Sequence, residues 1–269
     1  MKIGLNNHLT PYQVAAIRIV SSGIVLFPLS IGAFNKIPLA KIKLVFLSGM
    51  MGSLLPAFLF CIAENEIDSS LAGVLNALTP VFVIVIGAVF FNANTGSNKI
   101  TGTVIAFAGS VLLVLSKGRM QESNHLLYVF FVVMATIMYA VNLNMVTKYL
   151  SDIPSLQITA VALTLNAIPA LFILIATGFF SLPLRQHEIL VATSASAVLG
   201  IGGTAIATFL FYALVKRAGG LFASMVTYGI PFIAVAWGIC FKEKFTWPQV
   251  VCLLIILSGV YLANRKVSV

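Results

Sequence analysis

The chain has 269 residues, of which 60% are hydrophobic and only 9% are charged, and its mean hydropathy is +1.06. Soluble domains carry about 25% charged residues, so this composition excludes a water-soluble globular protein. The formal net charge of +9 raises nucleic acid as a partner. The basic residues are confined to short polar gaps between apolar runs, however, which indicates membrane topology and argues against nucleic acid binding.

Successive apolar runs are each long enough to cross a hydrocarbon core of about 30 Å as a helix. Nine spans are predicted, at residues 13–34, 43–63, 69–91, 99–116, 125–147, 156–180, 189–214, 221–241 and 247–264. The connections between them are short and rich in turn-forming residues, so consecutive helices are expected to be antiparallel neighbours. The predicted fold class is therefore an all-α polytopic transmembrane helical bundle, with the lipid bilayer as its surroundings.

The orientation in the membrane follows from the loops that hold lysine and arginine. With the C-terminus placed inside, the inner loops hold more of these residues than the outer loops, and most acidic residues lie outside. This is the bias expected from the positive-inside rule. We therefore predict a bacterial inner (plasma) membrane protein with a cytoplasmic C-terminus.

An internal repeat is visible when the chain is shifted against itself by 151 residues. One gap-free register superposes residues that kink helices or allow close helix contacts: Gly52 on Gly203, Pro80 on Pro231, and Gly87 on Gly238. Matching by apolar composition alone is the alternative, because most aligned positions differ. The equivalent spans lie five crossings apart, so the two halves are predicted to be inverted relative to each other, as in many secondary transporters.

Three segments resemble the drug/metabolite transporter superfamily, in its EamA-type ten-helix branch. They run from Ala72 to Phe82, from Gly220 to Phe232, and from Gly102 to Leu113, where the pattern is GxxxAxxGxxLL. The resemblance implies two inverted repeats of five helices around a central cavity, here residues 1–118 and 119–269. With nine spans predicted, the first helix of the first repeat is expected to be missing, and Met1 to Leu5 would be its end.

Polar side chains within the spans are the candidates for contact with a solute. Asn76 and Thr227 occupy equivalent repeat positions, and an amide in hydrocarbon needs hydrogen-bond partners. Tight helix packing and ordinary interhelical hydrogen bonds are the alternative uses of such faces. The predicted solute-binding residues are Asn76, Thr79, Tyr139, Asn142, Thr227, Tyr228, Trp237 and Arg18.

Arg18 is the clear charge inside a span, and two interpretations of it remain open. Its head group could extend along the helix to the outer membrane interface, because it lies only about 8 Å from the estimated start of the span. Alternatively, it could meet an anionic solute or a helix end inside the protein.

The predicted function is a secondary transporter, either a permease or an exporter, for a small metabolite, amino acid or drug-like solute. The weakly charged spans favour neutral or zwitterionic solutes. An enzyme is not expected, because the sequence shows no nucleophile or metal constellation and no GxxxxGK[ST] motif, and no cofactor or metal is predicted. The alternative is a non-transporting membrane interaction or signalling protein. The oligomeric state is open, with a homodimer as one option.

Overall fold

A computed structural model describes residues 9–67, 69–115, 126–230 and 247–264, together with Gly4 and Ile233. Within these residues the chain is helical and contains no strand, which confirms the predicted all-α class. The helices are α1 (Pro11–Phe34), α2 (Leu39–Gly49), α3 (Leu55–Glu66), α4 (Ser69–Asn76), α5 (Thr79–Phe91), α6 (Ser97–Leu115), α7 (Leu126–Tyr149), α8 (Ser155–Ala176), α9 (His187–Gly200), α10 (Ala207–Ala218), α11 (Gly220–Ser224) and α12 (Trp247–Asn264).

The described helices lie on the predicted spans. In the part of the chain that the structure describes, six helical segments are long and apolar enough to cross a membrane: Pro11–Phe34, Leu39–Glu66, Leu71–Phe91, Leu126–Tyr149, Ser155–Ala176 and His187–Ala218. Helices α6 and α12 lie on two further predicted spans. The predicted span at 221–241 is described only in its first half, and the predicted boundary between residues 118 and 119 lies outside the described residues.

Helix α1 begins at Pro11 because the preceding residue caps it. The Thr10 hydroxyl accepts a hydrogen bond from the Gln13 backbone N–H at 3.3 Å, and the Gln13 side chain accepts one from the Thr10 N–H at 3.0 Å. Proline at the first helical position lacks only an N–H that would have no partner there. The Gln13 amide also donates to the Thr177 carbonyl, 3.1 Å away, which ties the start of α1 to the end of α8.

Two spans contain a π-helical turn, and the turns begin 151 residues apart. Met50–Leu54 joins α2 to α3, and Ile201–Ile206 joins α9 to α10. Their positions correspond under the shift that superposes the two halves of the sequence. A π turn is rare and is often found at functional sites. Its occurrence at two equivalent positions supports the interpretation of the sequence match as a true duplication.

The same shift also relates two interruptions of the helical spans. Helix α4 ends at Asn76 and α5 begins at Thr79, while α11 ends at Ser224 and continues into a 3₁₀ segment, Met225–Gly229. Discontinuous helices of this kind bring backbone and polar side chains to the interior of membrane proteins. The interruptions therefore mark the level at which a polar site can form.

Helices α6 and α12 cross at glycine positions where their backbones touch. A Cβ atom on Gly102 would lie 2.5 Å from the Gly259 carbonyl oxygen, and one on Gly259 would lie 2.6 Å from the Gly102 oxygen. Ala106 and Ala263 complete the contact. Small residues allow close helix approach in membranes, where van der Waals contact replaces the hydrophobic effect as the main attraction between helices.

We predict that Gly259→Ala destabilises the protein by roughly 1–3 kcal/mol, because its methyl group would collide with backbone atoms that cannot rotate away. The measurement is the apparent Tm of purified protein in detergent. Gly32→Ala is the matched control, since Gly32 lies inside α1 with open space around it. There the alanine should be neutral or stabilising by up to about 1 kcal/mol. An equal Tm for the two variants would contradict the close crossing.

Candidate solute-binding cavity

A cavity of about 480 Å³ lies where the π turns and the helix interruptions meet. Its walls come from α1, from the first π turn, from α4, α5 and α7, and from the stretch that runs from the second π turn into α10 and on to residue 227. Six of the eight predicted residues line it: Arg18, Asn76, Thr79, Tyr139, Asn142 and Thr227. These six residues come from four of the predicted spans, and the lining as a whole comes from six.

Arg18 projects into this cavity and is held there by a threonine of the second π turn. Its Nε donates a hydrogen bond of 2.7 Å to the Thr204 hydroxyl. This bond joins α1 to Ile201–Ile206 and uses one of the three guanidinium nitrogens. Arg18 is half-buried and lines the cavity, so a contact between its side chain and a solute stays a prediction.

Asn142 belongs to a hydrogen-bonded group at the base of the cavity. The Tyr212 hydroxyl lies 3.1 Å from the Asn142 amide nitrogen and 2.8 Å from the Ser48 hydroxyl. Gly52 makes room for the group, since a Cβ there would lie 2.9 Å from the Tyr212 oxygen. All three polar side chains are buried, so the network fixes the wall in one arrangement.

The two threonines of the helix interruptions satisfy backbone carbonyls. Thr79 donates to the Asn76 carbonyl at 2.7 Å, and Thr227 donates to the Ser224 carbonyl at 2.8 Å. The Asn76 carbonyl lacks the usual helical donor, because the residue four positions on is Pro80, which has no backbone N–H. Within the described residues the Asn76 amide nitrogen has no hydrogen-bond partner, so it is available to a solute.

The remaining wall is aromatic and apolar. The Tyr139 ring stacks on Phe60 with a centroid distance of 6.2 Å and an interplanar angle of 28°. Leu143, Phe211 and Val226 contribute apolar surface. The cavity therefore combines one cation and several neutral polar groups with an apolar body, which is the usual make-up of a small-molecule site.

Two of the predicted residues do not take part in the described cavity. Tyr228 is buried against α6 and α12, where its hydroxyl donates to the Thr103 carbonyl at 3.1 Å. It packs these helices together and does not line the cavity. Trp237 lies outside the described residues.

Several lining residues were not predicted from the sequence, chiefly Ser53, Thr204 and Thr208. Ser53 and Thr204 are equivalent under the 151-residue shift, and each lies next to the matched pair Gly52 and Gly203 in a π turn. The repeat was therefore the signal that could have found two of them. Thr208 carries no comparable signal, because a single threonine in an apolar helix is common.

Comparison with known proteins agrees with this architecture. The sequence profile of the EamA-like transporter family matches residues 1–115 and 126–265. An uncharacterized transporter of Archaeoglobus fulgidus is 25% identical over 260 residues, which cover 96% of this chain and 90% of that protein. Protein PagO of Salmonella typhimurium is 27% identical over 194 residues, covering 66% of this chain and 60% of PagO.

A solved crystal structure shares the fold, with a TM-score of 0.74 at 16% sequence identity, over 98% of this chain and 91% of that one. The family match covers nearly the whole chain in two consecutive copies. Together with the apolar helices long enough to cross a bilayer, it identifies an integral membrane protein. The chain belongs to the EamA-like transporter family.

Proposed function

We propose that this protein is a secondary transporter that moves a small solute with an anionic group through the cavity between its two repeats. The observation that carries the proposal is the position of Arg18 in the cavity wall. No aspartate or glutamate is among the described residues that line the cavity. The positive charge therefore lacks an internal counterion there, and a solute can supply one.

The chemistry of Arg18 favours a carboxylate or a similar planar anion. A guanidinium presents its N–H groups as a rigid fork that matches a carboxylate with two parallel hydrogen bonds. Thr204 already accepts from Nε, which holds the side chain in place without occupying the terminal nitrogens. Such preorganisation lowers the entropy cost of binding.

The rest of the cavity favours a solute whose remaining part is neutral, zwitterionic or moderately apolar. The Asn76 amide and the Tyr139 hydroxyl can bond to polar groups, and the Tyr139 ring and Phe211 can contact an apolar body. A volume of about 480 Å³ lies within the range of small-molecule sites. These properties suit a metabolite, an amino acid or a drug-like acid.

Transport by facilitated movement or exchange fits the charges of the chain. The acidic residues that the structure describes, Glu64, Glu66, Asp152 and Glu188, lie at span ends or in loops. A proton relay would use a carboxylate within the spans. We further propose that the protein lies in a bacterial inner membrane, with inverted repeats and a cytoplasmic C-terminus.

The first test is solute flux in proteoliposomes loaded with labelled carboxylate-bearing zwitterions or with their amide derivatives. We expect flux of one or more acids and no flux of the matching amides, because only the acids can pair with Arg18. Arg18→Gln should reduce the flux by roughly tenfold or more, the size expected for losing charge-assisted hydrogen bonds. Arg18→Lys should retain part of it, since the charge remains without the fork.

Lys41→Gln is the matched control for these charge substitutions. It removes a cation that pairs with Asp152 at 2.6 Å outside the cavity, where the Lys41 hydrogen bond lowers the pKa of the Asp152 carboxyl. An exposed pair of this kind contributes little to stability, so the flux should be unchanged. Equal flux in wild type and Arg18→Gln would exclude Arg18 from the site.

A second test addresses the inverted repeats. In a cysteine-free background, Thr95→Cys follows α5 and Lys244→Cys follows the equivalent span of the second half. We expect a membrane-impermeant thiol reagent to label Thr95→Cys from the cytoplasmic side and Lys244→Cys from the opposite side. Labelling of both from one side would contradict the inverted arrangement and with it the proposed pathway.

A further inference from the structure

A second cavity, of about 460 Å³, lies at one end of the bundle. It is bordered by the connection between α5 and α6, by the last turns of α10 and α12, and by the start of α11. Lys99 and the amides Asn94, Asn98 and Asn144 are among its lining residues. None of these residues lines the first cavity.

The two cavities are stacked along the same helices. On three segments, a residue of the first cavity is followed, one helical turn away on the same face, by a residue of the second. These pairs are Thr79 and Val83, Leu143 and Thr147, and Val226 and Phe222. Helix α10 lines both cavities in the same way, because Leu214 lies at the first cavity and Ala218, one turn later, lies at the second. The second cavity therefore continues the first one in the direction of the helix axes.

A thin layer separates the cavities. Val83 and Leu143 are almost completely buried and pack in one core cluster. The Asn144 amide nitrogen bridges α7 to α5 across this layer, donating to the Val83 carbonyl at 3.0 Å and to the Ala140 carbonyl at 3.0 Å. Gly87 allows the close approach, since a Cβ there would lie 2.8 Å from the Asn144 oxygen. We call this layer, formed by Val83, Leu143 and Asn144, the partition.

The two cavities also share their electrostatic character. Each contains one basic side chain, Arg18 in the first and Lys99 in the second, and no acidic side chain is found among the described lining of either. Asp152, at the loop that follows α7, already pairs with Lys41. An anionic group that leaves Arg18 in this direction therefore meets a second positive charge beyond the partition.

We propose that the second cavity is a second binding site for the anionic group of the solute. We also propose that the Asn144 bridge, its hydrogen bond to the Val83 carbonyl, closes the path between the two sites. This proposal rests on the proposed transport function and adds the route on one side of the membrane. Loss of the bridge lets α5 move away from α7 and joins the cavities. Interhelical hydrogen bonds in membranes are individually weak, so a single bridge of this kind can open during transport.

The first measurement is thiol reactivity in vesicles of a protein whose three cysteines, Cys61, Cys240 and Cys252, have been replaced by serine. Thr147→Cys reports on the second cavity, and the reagents are methanethiosulfonates with an anionic sulfonate or a cationic trimethylammonium group. We expect the anionic reagent to react faster than the cationic one because of Lys99. The ratio of the two rates should be roughly fivefold or more higher at Thr147→Cys than for free cysteine. Lys99→Gln should abolish this preference, and Lys41→Gln should preserve it.

The second measurement tests the bridge. Thr208→Cys lies in the first cavity, and the anionic reagent is added from the side that labels Thr95→Cys, whose connection borders the second cavity. Asn144→Ala should raise the modification rate of Thr208→Cys by roughly threefold or more, the factor that corresponds to losing an average interhelical hydrogen bond in a membrane. Asn166→Ala is the matched control, because Asn166 also donates to the carbonyl four residues before it, at 2.8 Å, and to a neighbouring helix, at 3.0 Å.

Each outcome decides the proposal. Equal rates of the two reagents at Thr147→Cys would exclude an anion-binding site in the second cavity. An unchanged modification rate at Thr208→Cys in folded Asn144→Ala would exclude the closing role of the bridge. If Asn144→Ala does not accumulate in membranes, the effect of Lys99→Gln on the reagent preference at Thr147→Cys decides whether the proposal stands. These rates need no transported solute, so they can fail while Arg18-dependent flux persists, and the reverse result is equally distinguishable.

Discussion

Backbone polar groups inside a bilayer have to find their hydrogen-bond partners within the protein, and this constraint determines where the polar side chains of this chain lie. Just before each π turn, a helix carbonyl accepts a hydrogen bond from the backbone N–H four residues on, and a polar side chain of α8 or α1 adds a second one. The Asn166 amide donates to the Phe46 carbonyl at 3.0 Å, and the Ser21 hydroxyl lies 3.3 Å from the Ala197 carbonyl. Phe46 and Ala197 are again 151 residues apart.

The partner side chains come from opposite halves of the sequence. Asn166 belongs to α8 and bonds to the carbonyl just before the first π turn. Ser21 belongs to α1 and bonds to the carbonyl just before the second one. Gly49 and Gly200, which precede the turns, lie directly against the backbones of the same two helices. The π turns thus depend on contacts between the halves. The same junction positions Arg18, whose bond to Thr204 joins α1 to the second turn.

The sequence predicted the fold class and the register of the duplication, because both follow from long apolar runs and from glycine and proline positions. It also placed six residues that the structure brings to one cavity, since polar groups within spans are few. The π turns could not be predicted, because no residue type marks them as proline marks a kink. The position of Tyr228 could not be predicted either, because an aromatic residue next to a polar one can bond to a backbone carbonyl, here that of Thr103, as well as line a cavity.

The polar side chains near the cavities differ in how far their hydrogen-bond donors are already used within the fold. Thr79, Thr227 and Asn144 donate to backbone carbonyls, so part of their hydrogen-bonding capacity is already used within the fold. Arg18 differs, since Thr204 accepts from one nitrogen only. Within the described lining, the groups that can still donate to a solute include the Arg18 guanidinium, the Asn76 amide and the Tyr139 hydroxyl. Their ability to donate hydrogen bonds is the basis of the proposed preference for a solute with an anionic acceptor, which the cation would match best.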